Sequence, residues 1–217
     1  NVLTPFFSSQ LNNDTTIKRK IGVFGNFGFG CKDYLFLNLT GRNDWNSRLY
    51  NGYKDNYFYP SAGLSFIPTK AFDGLKSDKG LNYAKLSASI VRVGNTSIVS
   101  PYDINSIYSV TGGFPIGSLS SFSPNQNPTD PLIKPEFMTT AEFGINLGFL
   151  NDRITLDASY YSTKTTDLIT RQSTSAGSGI SSVLTNIGQM TTTGYEIDLG
   201  FTPVKASDFN NLGLFSA

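Results

Sequence analysis

Histidine is missing altogether from this 217-residue chain, and cysteine and tryptophan occur once each. Without histidine the chain has no Ser-His-Asp or Cys-His arrangement and no imidazole metal site. Cys31 has no partner for an internal disulfide, and its place in a short turn makes it a bystander rather than a nucleophile. Charge of one sign is also lacking. Lys and Arg total 17 against 16 Asp and Glu, a net charge of +1, which offers no general attraction for nucleic acid or an anionic membrane surface. No apolar run approaches the roughly 18 residues that a transmembrane helix needs, and the first residues lack the basic-then-apolar layout of a signal peptide. Helical spans are thereby excluded, but strand spans are not. A barrel strand gives only its alternate residues to lipid, so mean hydropathy can stay near zero, as it does here at -0.15.

What the chain does have is alternation. In EFGINLGFLNDRITLDASYY, Phe143, Ile145, Leu147 and Phe149 fall on one side of an extended chain and Glu142, Gly144, Asn146 and Gly148 on the other. After a turn at Leu150 to Arg153, Ile154, Leu156, Ala158 and Tyr160 form a second apolar row, with Thr155, Asp157, Ser159 and Tyr161 as its polar counterpart. The pattern predicts an antiparallel hairpin with one apolar and one polar face. Along the whole chain, period two predicts seven complete strands at about 16–30, 34–45, 57–67, 82–94, 137–150, 153–169 and 187–202, with an eighth beginning near Phe209. No helical period is convincing, although AFDGLKSDKG (71–80) has room for one turn. The predicted fold class is all-β.

Two faces leave two readings open: a soluble sandwich whose apolar face packs on a second sheet, or a membrane barrel whose apolar face meets lipid and whose polar face lines a lumen. Strand length favours the barrel, since several predicted strands exceed the roughly 9–11 residues that span a bilayer, while globular strands cluster near five or six. The connections also alternate between short (31–33, 151–152, 203–208) and long (46–56, 95–136, 170–186), the rhythm of an outer-membrane barrel; the medium connection at 68–81 is the imperfect beat. The polar face is small and mixed rather than rich in Lys and Glu, as a crowded wet interior requires. On this reading the lumen-facing candidates are Asn38, Thr40, Arg42, Glu142, Asn146, Asp157, Tyr161, Glu196 and Asp198. The lipid-facing candidates are Phe143, Ile145, Leu147, Phe149, Ile154, Leu156, Tyr195, Ile197, Leu199 and Phe201. Aromatic clusters at Tyr57, Phe58 and Tyr59 and at Tyr160 and Tyr161 are read as strand ends suited to an interfacial girdle.

Catalytic and metal chemistry finds little support. The glycines of IGVFGNFGFG (21–30) are followed by no Lys-Ser or Lys-Thr pair and no helix, so they read as small residues in a barrel strand rather than a phosphate loop. Asp157, Glu196 and Asp198 are the carboxylates that a glycosidase would have to bring together, but lumen hydration explains their alternating positions equally well. Asn12, Asn13 and Asp14, and Asn43, Asp44 and Asn46, offer oxygen ligands without EF-hand spacing and read as turn residues. The chain is therefore read as a non-enzyme, with no cofactor and no metal.

Five blocks in order resemble the SusC/RagA-type family of TonB-dependent outer-membrane transporters. DPLIKPEFMTTAEFGINLGFLNDRITLDASYYSTKTTDLI (130–169) is similar to the family's N-P-x-L-K-W-E, T-T-rich strand, G-F-L-x-x-R and D-Y-Y-x-x-x-T-x-D-L pattern. TGRNDWNSRLY (40–50) resembles R-x-D-G-S-S-R-F, and NYFYPSAGLSF (56–66) resembles Y-F-P-S-x-x-x-G-W. LNYAKLSASIVRVGN (81–95) resembles L-K-L-R-A-S-Y-G-x-T-G-N, and SSVLTNIGQMTTTGYEIDLGFTPVK (181–205) resembles N-x-G-x-x-x-N-x-G-x-E. Trp45 stands where the family has glycine and Pro135 where it has tryptophan, which implies differently shaped external loops. The resemblance implies an antiparallel transmembrane segment of about seven to eight strands from a larger plugged barrel of about 22 strands. At about 29 residues per strand such a barrel needs roughly 640 residues, so residues 1–217 are expected to be part of the barrel domain, with the plug and remaining strands outside this chain. It further implies uptake of a bulky oligosaccharide or peptide across the Gram-negative outer membrane. The expected partners are a SusD-like surface lipoprotein, TonB acting through the plug, and outer-membrane lipid, with no nucleic acid. The rival reading is a non-transporting barrel that anchors a surface or secretion assembly.

Overall fold

The computed structural model describes residues 15–49, 56–77, 79–105, 108–112 and 120–204. Asn12, Asn13, Asp14 and the expected eighth strand near Phe209 lie outside the described residues. Seven strands form one antiparallel sheet: β1 (Lys20–Cys31), β2 (Leu35–Asn46), β3 (Asn56–Phe66), β4 (Leu81–Asn95), β7 (Glu136–Phe149), β8 (Ile154–Thr166) and β11 (Gln189–Phe201). Each matches a predicted strand. Their spatial order β1-β2-β3-β4-β7-β8-β11 follows chain order, because β5 (Tyr108–Gly112), β6 (Ser120–Pro124), β9 (Ile169–Ser173) and β10 (Ser182–Asn186) form two separate hairpins within the long connections. Those hairpins were not predicted from sequence. Their strands are five residues long, too short for alternation to register above background. The expected continuation of β8 to residue 169 fails at Asp167, whose left-handed φ of 57° breaks the strand before β9 begins.

The two ends of the sheet differ. At one end the turns are tight. Lys32 and Asp33 both have positive φ (47° and 57°) and Tyr34 N–H donates to the Cys31 carbonyl at 3.2 Å, a turn whose twist matches that of the flanking strands. The β7–β8 turn comprises residues 150–153 rather than two residues, with Leu150, Asn151 and Asp152 all left-handed; Asn and Asp tolerate that region, Leu less readily. The connection at 67–80 joins this end as a folded piece, a helical turn α1 (Pro68–Ala71) and a 3-10 turn (Asp73–Leu75). Pro68 opens α1 at the position where its missing N–H costs nothing. The Thr69 hydroxyl, buried, accepts from the Ala84 N–H at 3.1 Å, Ile67 N–H reaches the Tyr34 carbonyl at 2.7 Å, and Leu150 N–H reaches the Gly80 carbonyl at 2.9 Å. The one connection that broke the length rhythm is thus tied to both neighbouring turns.

At the other end all three long connections share a core. Leu49 comes from the β2–β3 connection, Val99, Ile104 and Ile133 from β4–β7, and Ile169 and Leu184 from β8–β11; Tyr57 and Phe137 from the strand ends join them, with Tyr59 against the cluster. Burying each such side chain stabilises the folded loops by about 1.5–3 kcal/mol relative to exposure. Backbone pairing adds to this. Ser181 N–H donates to the Gln126 carbonyl (2.8 Å), Leu184 N–H to Pro128 (3.0 Å) and Asp130 N–H to Leu184 (2.8 Å), laying 126–130 parallel to β10. The aromatic positions need correction here. Tyr57 is 9% exposed in the loop core rather than in a girdle, and Tyr160 and Tyr161 lie at the middle of β8, not its end.

Candidate functional site

The register carries the polar positions of each strand onto those of the next across the sheet, with apolar exceptions on that face such as Phe24, Phe36 and Val91. One row runs Gly28, Asn38, Gly63, Ser89, Glu142, Tyr161, Gly194. A second runs Asn26, Thr40, Ser61, Val91, Thr140, Thr163, Thr192. A third joins Lys85, Asn146, Asp157 and Asp198, and a fourth joins Phe36, Ser65, Ser87, Gly144, Ser159 and Glu196. All nine polar candidates, Asn38, Thr40, Arg42, Glu142, Asn146, Asp157, Tyr161, Glu196 and Asp198, share these alternate positions, because Arg42 follows Thr40 by two residues on β2. The intervening rows are apolar: Phe29, Leu37, Leu64, Ala88, Phe143, Tyr160, Tyr195, and then Cys31, Leu35, Phe66, Leu86, Ile145, Ala158, Ile197. Leu147, Leu156 and Leu199 form the next, and Phe149, Ile154 and Phe201 the last. All ten apolar candidates therefore lie on one face.

Among the described residues no second layer covers that apolar face at mid-strand. Phe143 remains 59% exposed, Tyr195 78% and Ile197 71%. A soluble sandwich would bury these side chains against a facing sheet about 10 Å away, and no such sheet lies over them among the described residues. The sheet is also open, with β1 and β11 as long edges carrying unpaired backbone groups.

The polar face is shaped by close pairing of glycine with larger side chains. A Cβ on Gly194 would lie 2.5 Å from the Tyr161 hydroxyl oxygen, so the tyrosine ring lies in the space that glycine leaves beside it. A Cβ on Gly22 would meet the Asp44 carboxylate at 2.5 Å; that carboxylate, 8% exposed, holds Arg42 at 2.6 Å and Lys20 at 3.1 Å. Gly22 and Gly194 are thus explained by close approach rather than by flexibility. Farther along, Glu142, Asn146, Asp157, Glu196 and Asp198 line one groove of about 570 Å³, and Asn146 donates to Asp157 at 2.6 Å. The three carboxylates that sequence could not place together do share this groove, with Asp157 and Asp198 directly opposed in the register. It is a shallow part of an open wall, and no general base or nucleophile is isolated within it. Among the described residues no cluster of His, Cys, Asp or Glu is arranged to hold a metal ion.

Sequence reasoning missed two groups of polar residues. Lys85 belongs to the acidic row, and its place was legible only once the register put it beside Asn146. Glu136, 8% exposed at the start of β7, accepts from Ile169 N–H at 2.9 Å and from the Asn95 amide at 3.2 Å, joining two long connections at their base. Asn186 acts similarly, donating to the Lys134 and Asp167 carbonyls at 2.8 Å and 2.7 Å while Lys134 and Asp167 pair at 2.8 Å.

A one-sided antiparallel wall with tight turns at one end and packed loops at the other agrees with the comparisons by sequence and by fold. The sequence model of the family "TonB dependent receptor-like, beta-barrel" matches residues 1–217. This chain belongs to that family of TonB-dependent receptors. Among curated relatives, it is 28% identical over 207 residues to TonB-dependent receptor P3 of Formosa agariphila, covering 93% of this chain and 20% of that protein. It is 27% identical over 195 residues to TonB-dependent receptor SusC of Bacteroides thetaiotaomicron, covering 87% and 19% respectively. The RagAB peptide importer in its open-open state has the same fold over 83% of this chain and 19% of its own, with a TM-score of 0.73 at 23% identity. The chain thus spans about a fifth of the relatives that it matches. These relatives are TonB-dependent receptors and a peptide importer.

Proposed function

We propose that residues 1–217 are part of the wall of a larger, plugged barrel in the Gram-negative outer membrane, and that the parent protein imports a bulky oligosaccharide or peptide. The observation that carries this reading is the separation of a mainly polar face from an apolar one across seven strands, with no described residue layered over the apolar face at mid-strand. Lipid is the natural cover for that face and a watery lumen for the other. On this reading Phe143, Ile145, Leu147, Phe149, Ile154, Leu156, Tyr195, Ile197, Leu199 and Phe201 meet lipid. Asn38, Thr40, Arg42, Glu142, Asn146, Asp157, Tyr161, Glu196 and Asp198 line the lumen. The packed loops then form the external end, a firm seat for a SusD-like lipoprotein lid, while the 67–80 connection lies on the periplasmic side.

A barrel of about 22 strands encloses a hole that must be plugged to prevent leakage. Passage therefore needs a gate, and without ATP at the outer membrane the work arrives mechanically through TonB. The test is uptake of the solute by cells carrying the full-length parent, with and without TonB. Uptake should stop without TonB while surface binding persists. Undiminished uptake that simply tracks external concentration would identify a passive pore, and an absence of binding and uptake together with loss of a surface assembly on deletion would identify an anchor.

A further inference from the structure

The geometry points to an anion-binding subsite for an acidic oligosaccharide at the loop end of the polar face. Lys18, Arg19, Lys20 and Arg48 line one cavity of about 330 Å³ together with Asn46, Gly94, Asn95, Thr96 and Ser97. Among the described residues no carboxylate lines it. Lys20, Asn46 and Asn95 occupy the polar rows, since Lys20 pairs with Asn46 and Asn95 with Glu136 in the register, so the cavity opens on the face assigned above to the lumen. The inference rests on that assignment.

Arg19, Lys20 and Arg48 are held in place by the fold. Arg19 and Ser47 exchange backbone contacts, with Ser47 N–H donating to the Arg19 carbonyl at 3.0 Å and Arg19 N–H to the Ser47 hydroxyl at 3.1 Å, which extends the β1–β2 ladder beyond its last strand pair. Arg48 is anchored on both sides: its N–H donates to the Asn46 side-chain oxygen at 3.1 Å and its guanidinium to the Thr96 carbonyl at 3.3 Å. Asn46, 8% exposed, completes the floor by donating to the Thr96 hydroxyl at 2.8 Å. Lys20 is partly neutralised by Asp44, which it shares with Arg42. Lys18, Arg19 and Arg48 form no ion pair among the described residues. With a whole-chain charge of only +1, this concentration is local rather than a general basicity.

Cations with no ion pair among the described residues, such as Lys18, Arg19 and Arg48, attract a carboxylate, sulfate or phosphate group, and Arg presents paired donors that fit such oxygens. The volume lies at the small end of ligand sites, which run from about 300 to 1,000 Å³, and suits one substituted unit of a larger solute. The remaining lining consists of amides and hydroxyls without an aromatic or aliphatic side chain, which matches the hydroxyls of a sugar better than an acidic peptide.

The experiment uses the full-length receptor in detergent, titrated at low ionic strength with sulfated dextran oligosaccharide, unsulfated dextran of equal length, oligoglutamate and inorganic sulfate. Sulfated dextran should bind at least about tenfold more tightly than dextran, as one charge-assisted contact would give. Inorganic sulfate should compete, and the preference should shrink at 1 M salt, where the screening length falls to about 3 Å. Arg48→Gln with Arg19→Gln should abolish the preference. Lys18→Gln with Arg19→Gln, which removes no side-chain hydrogen bond or ion pair seen among the described residues, should weaken it with an unchanged melting temperature. Equal binding of the two dextrans, no binding of either, or a preference surviving both variants overturns the subsite. Tighter binding of oligoglutamate overturns the sugar assignment in favour of an acidic peptide. TonB dependence is measured separately on cells, so loss of the anion preference leaves the import reading standing, and uptake without TonB defeats that reading while leaving this one.

Discussion

Replacing Ile145 by lysine tests the lipid-facing assignment most sharply, because its neighbour Asn146 supplies the control. Ile145 lies four residues inside Phe149, the end of β7. At about 3.4 Å per residue that is about 14 Å along the strand, or roughly 10 Å along the membrane normal at a tilt of about 45°. This depth falls near the middle of an apolar band about 25 Å tall, where a lysine costs about 2–4 kcal/mol. Its row neighbours Leu86, Ala158 and Ile197 offer no counter-charge. Asn146→Lys, one residue away, loses the 2.6 Å hydrogen bond to Asp157 but gains that carboxylate and Asp198 as neighbours, against repulsion from Lys85 in the same row. Those contributions oppose each other and leave a net change of about 1 kcal/mol or less, since a typical hydrogen bond and an exposed ion pair are each worth about that much. The assay is reversible unfolding of the full-length receptor from lipid vesicles in guanidinium, comparing midpoints at constant slope. Equal destabilisation by the two lysines would mean that both faces are buried alike and would refute the assignment.

Three further outcomes follow from the same geometry. In a Cys31→Ser background, Glu196→Cys and Asp198→Cys should react with a membrane-impermeant polar thiol reagent while Ile197→Cys and Leu199→Cys do not, because single steps along a strand change faces; uniform labelling would defeat the face assignment. Gly194 and Gly200 are unsuitable for that scan, as a Cβ there meets Tyr161 or Thr155. Gly194→Ala should cost about 1–3 kcal/mol of stability by overpacking against the Tyr161 ring, and Tyr161→Ala should suppress most of that cost in a double-mutant cycle; additive effects would show that the ring does not fill the glycine's space. Glu136→Ala strands the Ile169 N–H and the Asn95 amide, at about 1–3 kcal/mol, and should speed limited proteolysis within 125–135 and 167–188; unchanged cleavage would show that the loops are held together by their apolar cluster alone.

Alternation by itself determined that this protein is built from seven long strands with a mainly apolar and a mainly polar face, and it put each set of candidate residues on a single face of the sheet. The reason is local: side chains of an extended chain point to opposite faces every second residue, so a row such as Phe143, Ile145, Leu147 and Phe149 is legible without knowing its neighbours. Length and order of the connections likewise announced which end would be tight and which elaborate. Only the tertiary structure decided which rows meet. Lys85 joined Asn146, Asp157 and Asp198, and Arg48 came to share a cavity with Lys18 and Arg19, through register and loop packing set by contacts distant in sequence. The short hairpins β5–β6 and β9–β10, and the apolar cluster that binds three connections into one cap, were invisible for the same reason. Five-residue strands carry too little period to detect, and Leu49, Val99, Ile133 and Leu184 each sit in a run of only two apolar residues, whose meaning exists only where they touch.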